Sequence, residues 1–255
     1  MITLRIQAKF HTEQEISLPY NLNYLISSYL YQCLSRSKAD LSKWLHEEGI
    51  VHNKRRYKPL AFSNLQFVKK KFQPNYQLVN GEATLLISSM KEEICIGLIE
   101  GIWKMKGLQL MDCHLPLVEV KILPTIEFHS VMRYKSLSPI VVASQQEGRI
   151  HFCHPLESRF YDQLRNTMRN WYEIKWEEKL DESSVDISIK DPTKFDFRKS
   201  SVLTEVKKRK IKGYMLDVEV KAPPKAQQII YEQSLGNYAV QGFGFLSPQI
   251  DTEVK

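Results

Sequence analysis

In the first 125 residues the spacing of apolar residues switches between two values, one typical of strands and one typical of helices. The order in which these spacings occur limits the folds that the chain can adopt. Apolar residues in 2–8 recur at every second position, which is typical of a half-buried strand. In 22–34 they recur at every third or fourth position, which is typical of an amphipathic helix. The remaining patterns are a short helix over 41–46, strands over 59–67 and 83–88, a helix over 94–107 and a strand over 118–122. This order predicts a βαββαβ unit, the ferredoxin-like fold.

The second half of the chain repeats this order less clearly. A strand is predicted over 138–142, with Pro139 marking its start or a sheet edge, and a helix is predicted to begin at Pro155. Alternating residues from Tyr214 to Val220 predict one long strand. Further patterns predict strands over 186–189 and 203–206 and a helix over 226–233. We therefore expect an α+β protein with two tandem ferredoxin-like domains packed side by side, over 1–125 and 126–255.

Composition excludes several classes of protein. No apolar stretch approaches the roughly 20 residues that span a bilayer, and the N-terminal residues do not have the pattern of a signal peptide. The four cysteines are scattered and form no Cys-x-x-Cys pair, which is typical of a reducing compartment. We expect a cytoplasmic protein without membrane contact.

Positive charge is concentrated in two runs. The net charge is +7, and no Asp or Glu occurs from Val51 to Gly81. That segment contains Lys54, Arg55, Arg56, Lys58, Lys69, Lys70 and Lys71, and the second run contains Lys207, Lys208, Arg209, Lys210 and Lys212. Tyrosines and phenylalanines are interleaved with both runs, among them Phe72 and Tyr214. Either run alone is equally well explained as a solvated loop, but the two together favour a groove that binds nucleic acid.

A glycine-rich run near the C-terminus supports the same interpretation. Gly236, Gly242 and Gly244 lie within nine residues, between a predicted helix and β-prone aromatics that include Phe243. Glycine lets the backbone approach a ligand closely, and successive N–H groups can bind phosphate. The run is a candidate cradle for a phosphodiester backbone.

The sequence offers no recognisable metal site. His151, Cys153 and His154 are close together, but zinc sites need four ligands that usually come from two spaced pairs. Acidic residues are not clustered as a two-metal nuclease requires. We expect no metal and no cofactor, so that any phosphodiester cleavage would rely on protein acids and bases and on RNA, which carries its own nucleophile in the 2′-hydroxyl.

Such a cleavage needs a proton acceptor, a proton donor and a group that stabilises charge on the phosphate. Tyr31, His46 and Lys54 provide a phenol, an imidazole and a cation. Histidine is suited to the acid–base role because its ordinary pKa lies near neutrality. Alternatively, His46 is a histidine that only stabilises the end of its helix, and Tyr31 is a core residue.

Four motifs in order resemble the repeat-specific endoribonucleases of the RAMP superfamily, which process CRISPR precursor transcripts. These are Leu18-Pro19-Tyr20-Asn21 followed by Tyr31, then Leu45-His46-Glu47, then residues 137–142, and finally Gly236 with Gly242-Phe243-Gly244. The resemblance extends from the first strand to the last and implies the tandem ferredoxin-like fold. It also implies a catalytic triad of Tyr31, His46 and a following lysine. The implied products are a 2′,3′-cyclic phosphate and a 5′-hydroxyl.

The chain departs from the family pattern at two positions. His52 stands where the family has its lysine, so Lys54 is our choice for the third catalytic residue and His52 the alternative. Ser234 replaces one glycine of the family's loop. The expected RNA-binding residues are His52, Arg55, Arg56, Lys58, Lys207, Lys208, Arg209, Lys210, Lys212, Gly236, Gly242, Phe243 and Gly244.

The expected partner is CRISPR repeat RNA, as precursor transcript and as processed guide RNA. Subunits of a CRISPR effector complex and a second copy of the chain are further candidate partners. The alternative function is a non-catalytic RNA-binding subunit of such a complex, which would use the same basic residues without needing His46.

Overall fold

The computed structural model describes residues 3–206 and 209–249, and the chain divides into two compact units. The N-terminal unit comprises Met1–Thr125 together with Val240–Gly242. The C-terminal unit comprises Ile126–Ala239 and Phe243–Lys255. Within the described ranges, none of the helices has the length and apolar character needed to cross a bilayer.

The N-terminal unit is built around one antiparallel sheet. Its elements are β1 (Leu4–Leu18), α1 (Asn23–Ser37), α2 (Ala39–Glu47), β2 (Ile50–His52), β3 (Arg55–Tyr57), β4 (Ala61–Phe62), β5 (Gln66–Phe72), β6 (Gln77–Ser89), α3 (Glu92–Met105), β7 (Gly107–Leu110) and β8 (Cys113–Ile122). The strand order is β4-β6-β1-β8-β7, and β5 also pairs with β6. If β4 and β5 are counted as one interrupted strand and the edge strand β7 is set aside, this is the strand order of the ferredoxin-like fold.

The core of this unit lies between the sheet and helices α1 and α3. Ile6, Ala8 and Phe10 of β1 are fully buried because alternate residues of a strand point to the same face. The two helices approach so closely that a Cβ on Gly101 would lie 2.0 Å from the carbonyl oxygen of Cys33. Only glycine fits at that crossing, which lets α1 and α3 pack directly against each other.

The C-terminal unit repeats the same topology. Its elements are β9 (Val131–Ser136), β10 (Ala143–Gln146), β11 (Arg149–Phe152), α4 (Ser158–Trp176), β12 (Asp186–Ile189), α5 (Phe197–Ser200), β13 (Ser201–Val206), β14 (Arg209–Tyr214), β15 (Val218–Lys221), α6 (Pro224–Gln233) and β16 (Leu246–Pro248). The sheet order is β12-β15-β9-β16, and β10–β11 and β13–β14 form separate hairpins. The predicted α+β fold class with ferredoxin-like units is therefore confirmed.

Several predicted elements of the C-terminal unit are wrong. The strand expected over 138–142 is absent among the described residues, where β9 precedes this run and only Ile140 forms an isolated bridge, to Tyr214. The run is apolar because it is buried, and burial alone does not make a strand. The single strand expected from Tyr214 to Val220 is broken after Tyr214, where the N–H of Leu216 donates instead to Oγ of Ser136, at 2.8 Å.

Smaller boundaries also differ from the prediction. The helix expected from Pro155 begins at Ser158, and the strand expected over 59–67 divides into β4 and β5 around residues 63–65. Strand β7 and the hairpins β2–β3 and β10–β11 were not predicted. These hairpins are short and largely polar, so they lack the apolar alternation that reveals a strand.

Candidate active site and basic surfaces

The structure brings two of the predicted catalytic side chains together. Tyr31 lies in the third turn of α1 and His46 is the next-to-last residue of α2. Their ring centroids are 5.4 Å apart with an interplanar angle of 85°, an edge-to-face contact. Ser42 joins the two helices by donating from its hydroxyl to the carbonyl oxygen of Tyr31, at 3.2 Å. Beneath His46, the side chain of Leu45 is fully buried and anchors the end of α2 in the core.

Tyr31 and His46 differ in their exposure to solvent. Tyr31 is half-buried, and burial raises the pKa of its phenol to about 12. A raised pKa favours the protonated phenol, which can donate a hydrogen bond to a ligand. His46 is exposed, so its imidazole is accessible to a substrate. The pair therefore combines a fixed donor with an accessible acid–base group.

Hairpin β2–β3 holds the end of the helix that carries His46. The ammonium of Lys58, just after β3, donates to the carbonyl oxygen of His46. The guanidinium of Arg56 donates to the carbonyl oxygen of Glu47, at 2.9 Å. Cations are favourable at this end of a helix because its last carbonyls carry partial negative charge. Two residues predicted to bind RNA thus also have partners in the protein, and they fix the main chain at His46 and Glu47.

The environment of Lys58 disfavours its charge. Burial lowers the pKa of this lysine, and the nearby Arg56 lowers it further by repulsion between like charges.

The third predicted catalytic residue lies in the turn of the same hairpin. Asn53 and Lys54 form a two-residue loop with φ of 48° and 61°, the left-handed geometry of a type I′ turn. Lys54 is exposed, and no hydrogen bond or ring contact among the described residues joins it to Tyr31 or His46. The alternative, His52, lies one residue before the turn, with its Nε2 3.0 Å from Nδ2 of Asn53. The structure therefore places both candidates on one short hairpin next to α2.

Part of the glycine-rich run belongs to the N-terminal unit and lies on α1. The Asn23 amide donates to the carbonyl oxygens of Gln241 and Gly242, at 2.8 and 3.1 Å, and the Ser27 hydroxyl donates to that of Val240, at 3.2 Å. Asn23, Ser27 and Tyr31 are spaced four residues apart and share one face of the helix, with about 6 Å of rise per step. Residues 240–242 therefore lie along the face of α1 that contains Tyr31.

Gly242 is required by this packing. Its φ is +79°, and a Cβ there would lie 2.4 Å from the ring of Phe62, which is fully buried. Neither the backbone conformation nor the space suits any residue but glycine.

The rest of the run packs within the C-terminal unit. A Cβ on Gly236 would lie 2.5 Å from the carbonyl oxygen of Val141, and one on Gly244 would lie 2.1 Å from that of Leu235. Phe243 is only 1% exposed, so its ring is core. Internal packing thus explains why these residues are present, and contact between their backbone and RNA stays a prediction.

The described residues of the second basic run lie on β14. Arg209, Lys210 and Lys212 of β14 are exposed, and the Lys212 ammonium lies 5.6 Å from the centre of the Tyr214 ring. Lys207 and Lys208 lie outside the described residues. Arg55, at the start of β3 in the other unit, is also exposed. These side chains are therefore accessible to a ligand at the surface of their units.

One group of described residues has the donor atoms for a metal ion. His151, Cys153 and Glu157 place their ligand atoms within 4.8 Å of one another, and the imidazole and carboxylate are 3.4 Å apart. His154, which is near these residues in the sequence, is not a member of this group. That imidazole instead accepts the N–H of Leu156 at its Nδ1, at 3.1 Å. The group provides three ligands, one fewer than a structural zinc site uses.

Models of two domains of one protein family match nearly the whole chain. "CRISPR-associated protein Cas6, N-terminal" matches residues 17–121, and "CRISPR associated protein Cas6, C-terminal" matches residues 123–248. The CRISPR-associated endoribonuclease Cas6 1 of Methanocaldococcus jannaschii is 26% identical over 184 residues, which cover 70% of this chain and 69% of the relative. The CRISPR-associated endoribonuclease Cas6 of Pyrococcus furiosus is 24% identical over 189 residues, covering 72% and 68% respectively.

Solved structures share the fold over the full length. One, described as the characterisation of a Cas6-related gene from Pyrococcus furiosus, has a TM-score of 0.84 at 23% identity and covers 99% of this chain and 100% of its own. Another, described as a RAMP protein binding different RNA substrates, has a TM-score of 0.82 at 22% identity and covers 97% and 100%. At these identities the likeness demonstrates the fold.

Proposed function

Since the chain belongs to the Cas6 family of CRISPR-associated endoribonucleases, we propose that it binds CRISPR repeat RNA and cuts it within the precursor transcript without a metal ion. The observation that carries this proposal is the edge-to-face pair of Tyr31 and His46, whose ring centroids are 5.4 Å apart. The pair lies beside a basic hairpin on a unit with the fold of RNA-processing relatives.

In the proposed reaction the RNA supplies its own nucleophile. The 2′-oxygen attacks the adjacent phosphorus, the bond from phosphorus to the 5′-oxygen breaks, and the 2′-hydroxyl proton is removed. A second proton is delivered to the departing 5′-oxygen. The products are a 2′,3′-cyclic phosphate and a 5′-hydroxyl, so atoms and charge balance without water as a reactant.

His46 is the acid–base group in this scheme. Its ring is exposed at the end of a helix whose main chain is fixed by Lys58 and Arg56. Tyr31 donates a hydrogen bond that positions the 2′-hydroxyl or a phosphate oxygen. Tyr31 could instead remove the 2′-hydroxyl proton, but its raised pKa favours the protonated phenol and so the positioning role.

A cation of hairpin β2–β3 stabilises the negative charge that develops on the phosphate. Lys54 is our choice because its exposed side chain extends from the turn. His52, one residue before the turn, is the alternative. The variant Lys54→Gly tests which of Lys54 and His52 supplies this cation. It should preserve the turn, because glycine adopts the left-handed conformation there more readily than lysine does. A loss of cleavage in that variant can be assigned to the missing ammonium.

Binding of the RNA involves the basic side chains at the surface. Arg55 in the N-terminal unit and Arg209, Lys210 and Lys212 in the C-terminal unit are exposed and would contact phosphates. Effector-complex subunits and a second copy of the chain are further proposed partners.

A second candidate function is a subunit that binds RNA without cutting it. The observation that favours it is His52, which stands where the resembling endoribonucleases have a lysine. A protein of the same fold is described as binding different RNA substrates.

One cleavage assay separates the two functions. Labelled repeat RNA is incubated with the protein in the presence and absence of EDTA, and a matched RNA carries a 2′-deoxy nucleotide at the cut site. We expect cleavage that persists in EDTA and is abolished by the 2′-deoxy substitution. Tight binding without cleavage of either RNA would establish the non-catalytic subunit, and cleavage of the 2′-deoxy RNA would contradict the proposed mechanism.

A further inference from the structure

An exposed aromatic surface lies at the end of β5 and takes no part in the proposed cleavage. Phe72, the last residue of β5, is 66% exposed, and Tyr20 and Tyr76 are 47% and 40% exposed. Large aromatic side chains are usually buried, and a group of them in solvent typically marks a binding surface. We call Tyr20, Phe72 and Tyr76 the aromatic tip.

The aromatic tip is held in place by hydrogen bonds. The rings of Tyr20 and Phe72 have centroids 6.0 Å apart and planes inclined by 36°. The Tyr20 hydroxyl donates to the carbonyl oxygen of Gln73, whose own N–H donates to the carbonyl oxygen of Tyr76, at 2.9 Å. Gln77 donates to the carbonyl oxygen of Pro19, at 3.1 Å, and so ties the start of β6 to the segment that carries Tyr20. These bonds fix the Tyr20 ring and the backbone around Gln73 and Tyr76, and the Tyr20 ring contacts that of Phe72.

Positive charge lies next to these rings. The ammonium of Lys70 lies 5.4 Å from the centre of the Phe72 ring, a cation–π contact, and Lys69 and Lys71 are exposed on the other face of the same strand, because successive side chains of a strand alternate. The sequence contains no Asp or Glu from residue 51 to residue 81. A partner with negative charge and flat apolar faces would match this surface on both counts.

The aromatic tip lies at the end of the unit where α1 begins. Gln77, the first residue of β6, pairs with Leu18 at the end of β1 on one side and with Phe72 of β5 on the other. Tyr20 therefore stands three residues before Asn23, the first residue of α1 and the one that binds the carbonyls of Gln241 and Gly242. Tyr31 is eight residues further along α1, about 12 Å along the helix axis.

We propose that the aromatic tip is a subsite for single-stranded RNA that flanks the cleaved bond, with bases stacked on Phe72 and Tyr20 and a phosphate near Lys70. Single-stranded nucleic acid has the required chemistry, because every base has a flat face and every linkage a negative charge. Bases in a duplex are already stacked on each other, so the occupant is an unpaired segment. The inference rests on the proposed function only in that the ligand is RNA.

The test measures stacking directly. Repeat RNA made uncleavable by a 2′-deoxy nucleotide at the cut site carries 2-aminopurine at successive positions of its unpaired flanks. Stacking of this base on an aromatic ring quenches its fluorescence, so wild-type protein should quench one or two adjacent positions. The variant Phe72→Ala should abolish that quenching and raise the dissociation constant by about 5- to 150-fold, the range for losing one stacked base.

Two controls separate stacking from other effects. Phe72→Leu keeps an apolar side chain and removes the π-system, so it should also abolish the quenching. Trp103→Ala removes another exposed aromatic residue, on α3 of the same unit, and should leave binding unchanged. Because Phe72 is exposed, the melting temperature of both Phe72 variants should equal that of the wild type.

Unchanged quenching and affinity in both Phe72→Ala and Tyr20→Ala would overturn this subsite. The outcome is independent of cleavage, because the RNA cannot be cut. A His46→Ala protein that still cuts normally would refute the catalytic proposal and leave this one intact.

Discussion

The two units of this chain have the same strand order and differ in what has been added to it. In the N-terminal unit, α2, hairpin β2–β3 and residues 240–242 all contact the region around Tyr31 and His46. In the C-terminal unit, the added hairpins β10–β11 and β13–β14 lie outside the four-stranded sheet. The shared sheet is thus a scaffold, and the chemistry depends on the segments inserted around it.

The basic hairpins of the two units show this difference most clearly. Lys58 and Arg56 of the N-terminal unit bind the carbonyls of His46 and Glu47, so their charges are part of the candidate site. Lys210 of β14 is exposed and available to a ligand. Similar runs of charge in the sequence therefore have different roles, which substitutions can separate.

The largest effect on stability is expected from Gly242→Ala, which tests whether residues 240–242 belong to the N-terminal unit. The new methyl group would overlap the buried Phe62 ring in a backbone conformation that disfavours it. We expect the free energy of unfolding to fall by about 2–4 kcal/mol. Urea denaturation measures it.

Gly81→Ala is the matched control for that variant. Gly81 also has a positive φ, +81°, but no atom lies within 4 Å of its added Cβ. The free energy of unfolding of Gly81→Ala should therefore fall by only about 1 kcal/mol, from backbone strain. Equal losses in the two variants would mean that the contact with Phe62 does not determine the position of the segment.

A smaller effect is expected from Lys58→Met, which keeps the length of the side chain and removes its charge. The carbonyl of His46 would lose a charged donor at the end of α2, at a cost of about 1 kcal/mol in unfolding free energy. Because the end of α2 that carries the imidazole would be held less firmly, single-turnover cleavage should slow by up to about 10²-fold at saturating RNA. A cleavage rate equal to that of the wild type would show that this lysine does not position His46.

The smallest effect is expected from Lys210→Met, the equivalent change in the C-terminal unit. Its side chain is exposed, so the free energy of unfolding should change by less than about 0.5 kcal/mol and the saturated cleavage rate should not change. Binding should weaken for all RNA sequences alike, and the slope of log affinity against log salt should shrink by about one unit. If the slope is unchanged, β14 does not contact the RNA backbone.

Hydrophobic period was sufficient to predict the main elements of the N-terminal unit. The alternation in β1 and the helical spacing in α1 and α3 are strong because one face of each element is buried. Hydrophobic pattern gave a wrong prediction at 138–142, where an apolar run is buried without being a strand.

The candidate site was predictable only in part. Residue chemistry together with the family resemblance indicated Tyr31 and His46, which the structure brings into contact. Nothing in the sequence indicated that Lys58 binds the main chain of His46, or that residues 240–242 lie on α1. These are contacts between distant segments, which local patterns of sequence do not encode.

The acid–base role of His46 is the central claim, and a single-turnover cleavage assay of His46→Ala tests it most directly. The variant should cleave about 10²- to 10⁴-fold more slowly than the wild type while binding repeat RNA with similar affinity. His11→Ala, which changes an exposed histidine of β1 in the same unit, should cleave at the wild-type rate. Wild-type cleavage by His46→Ala would contradict the proposed mechanism.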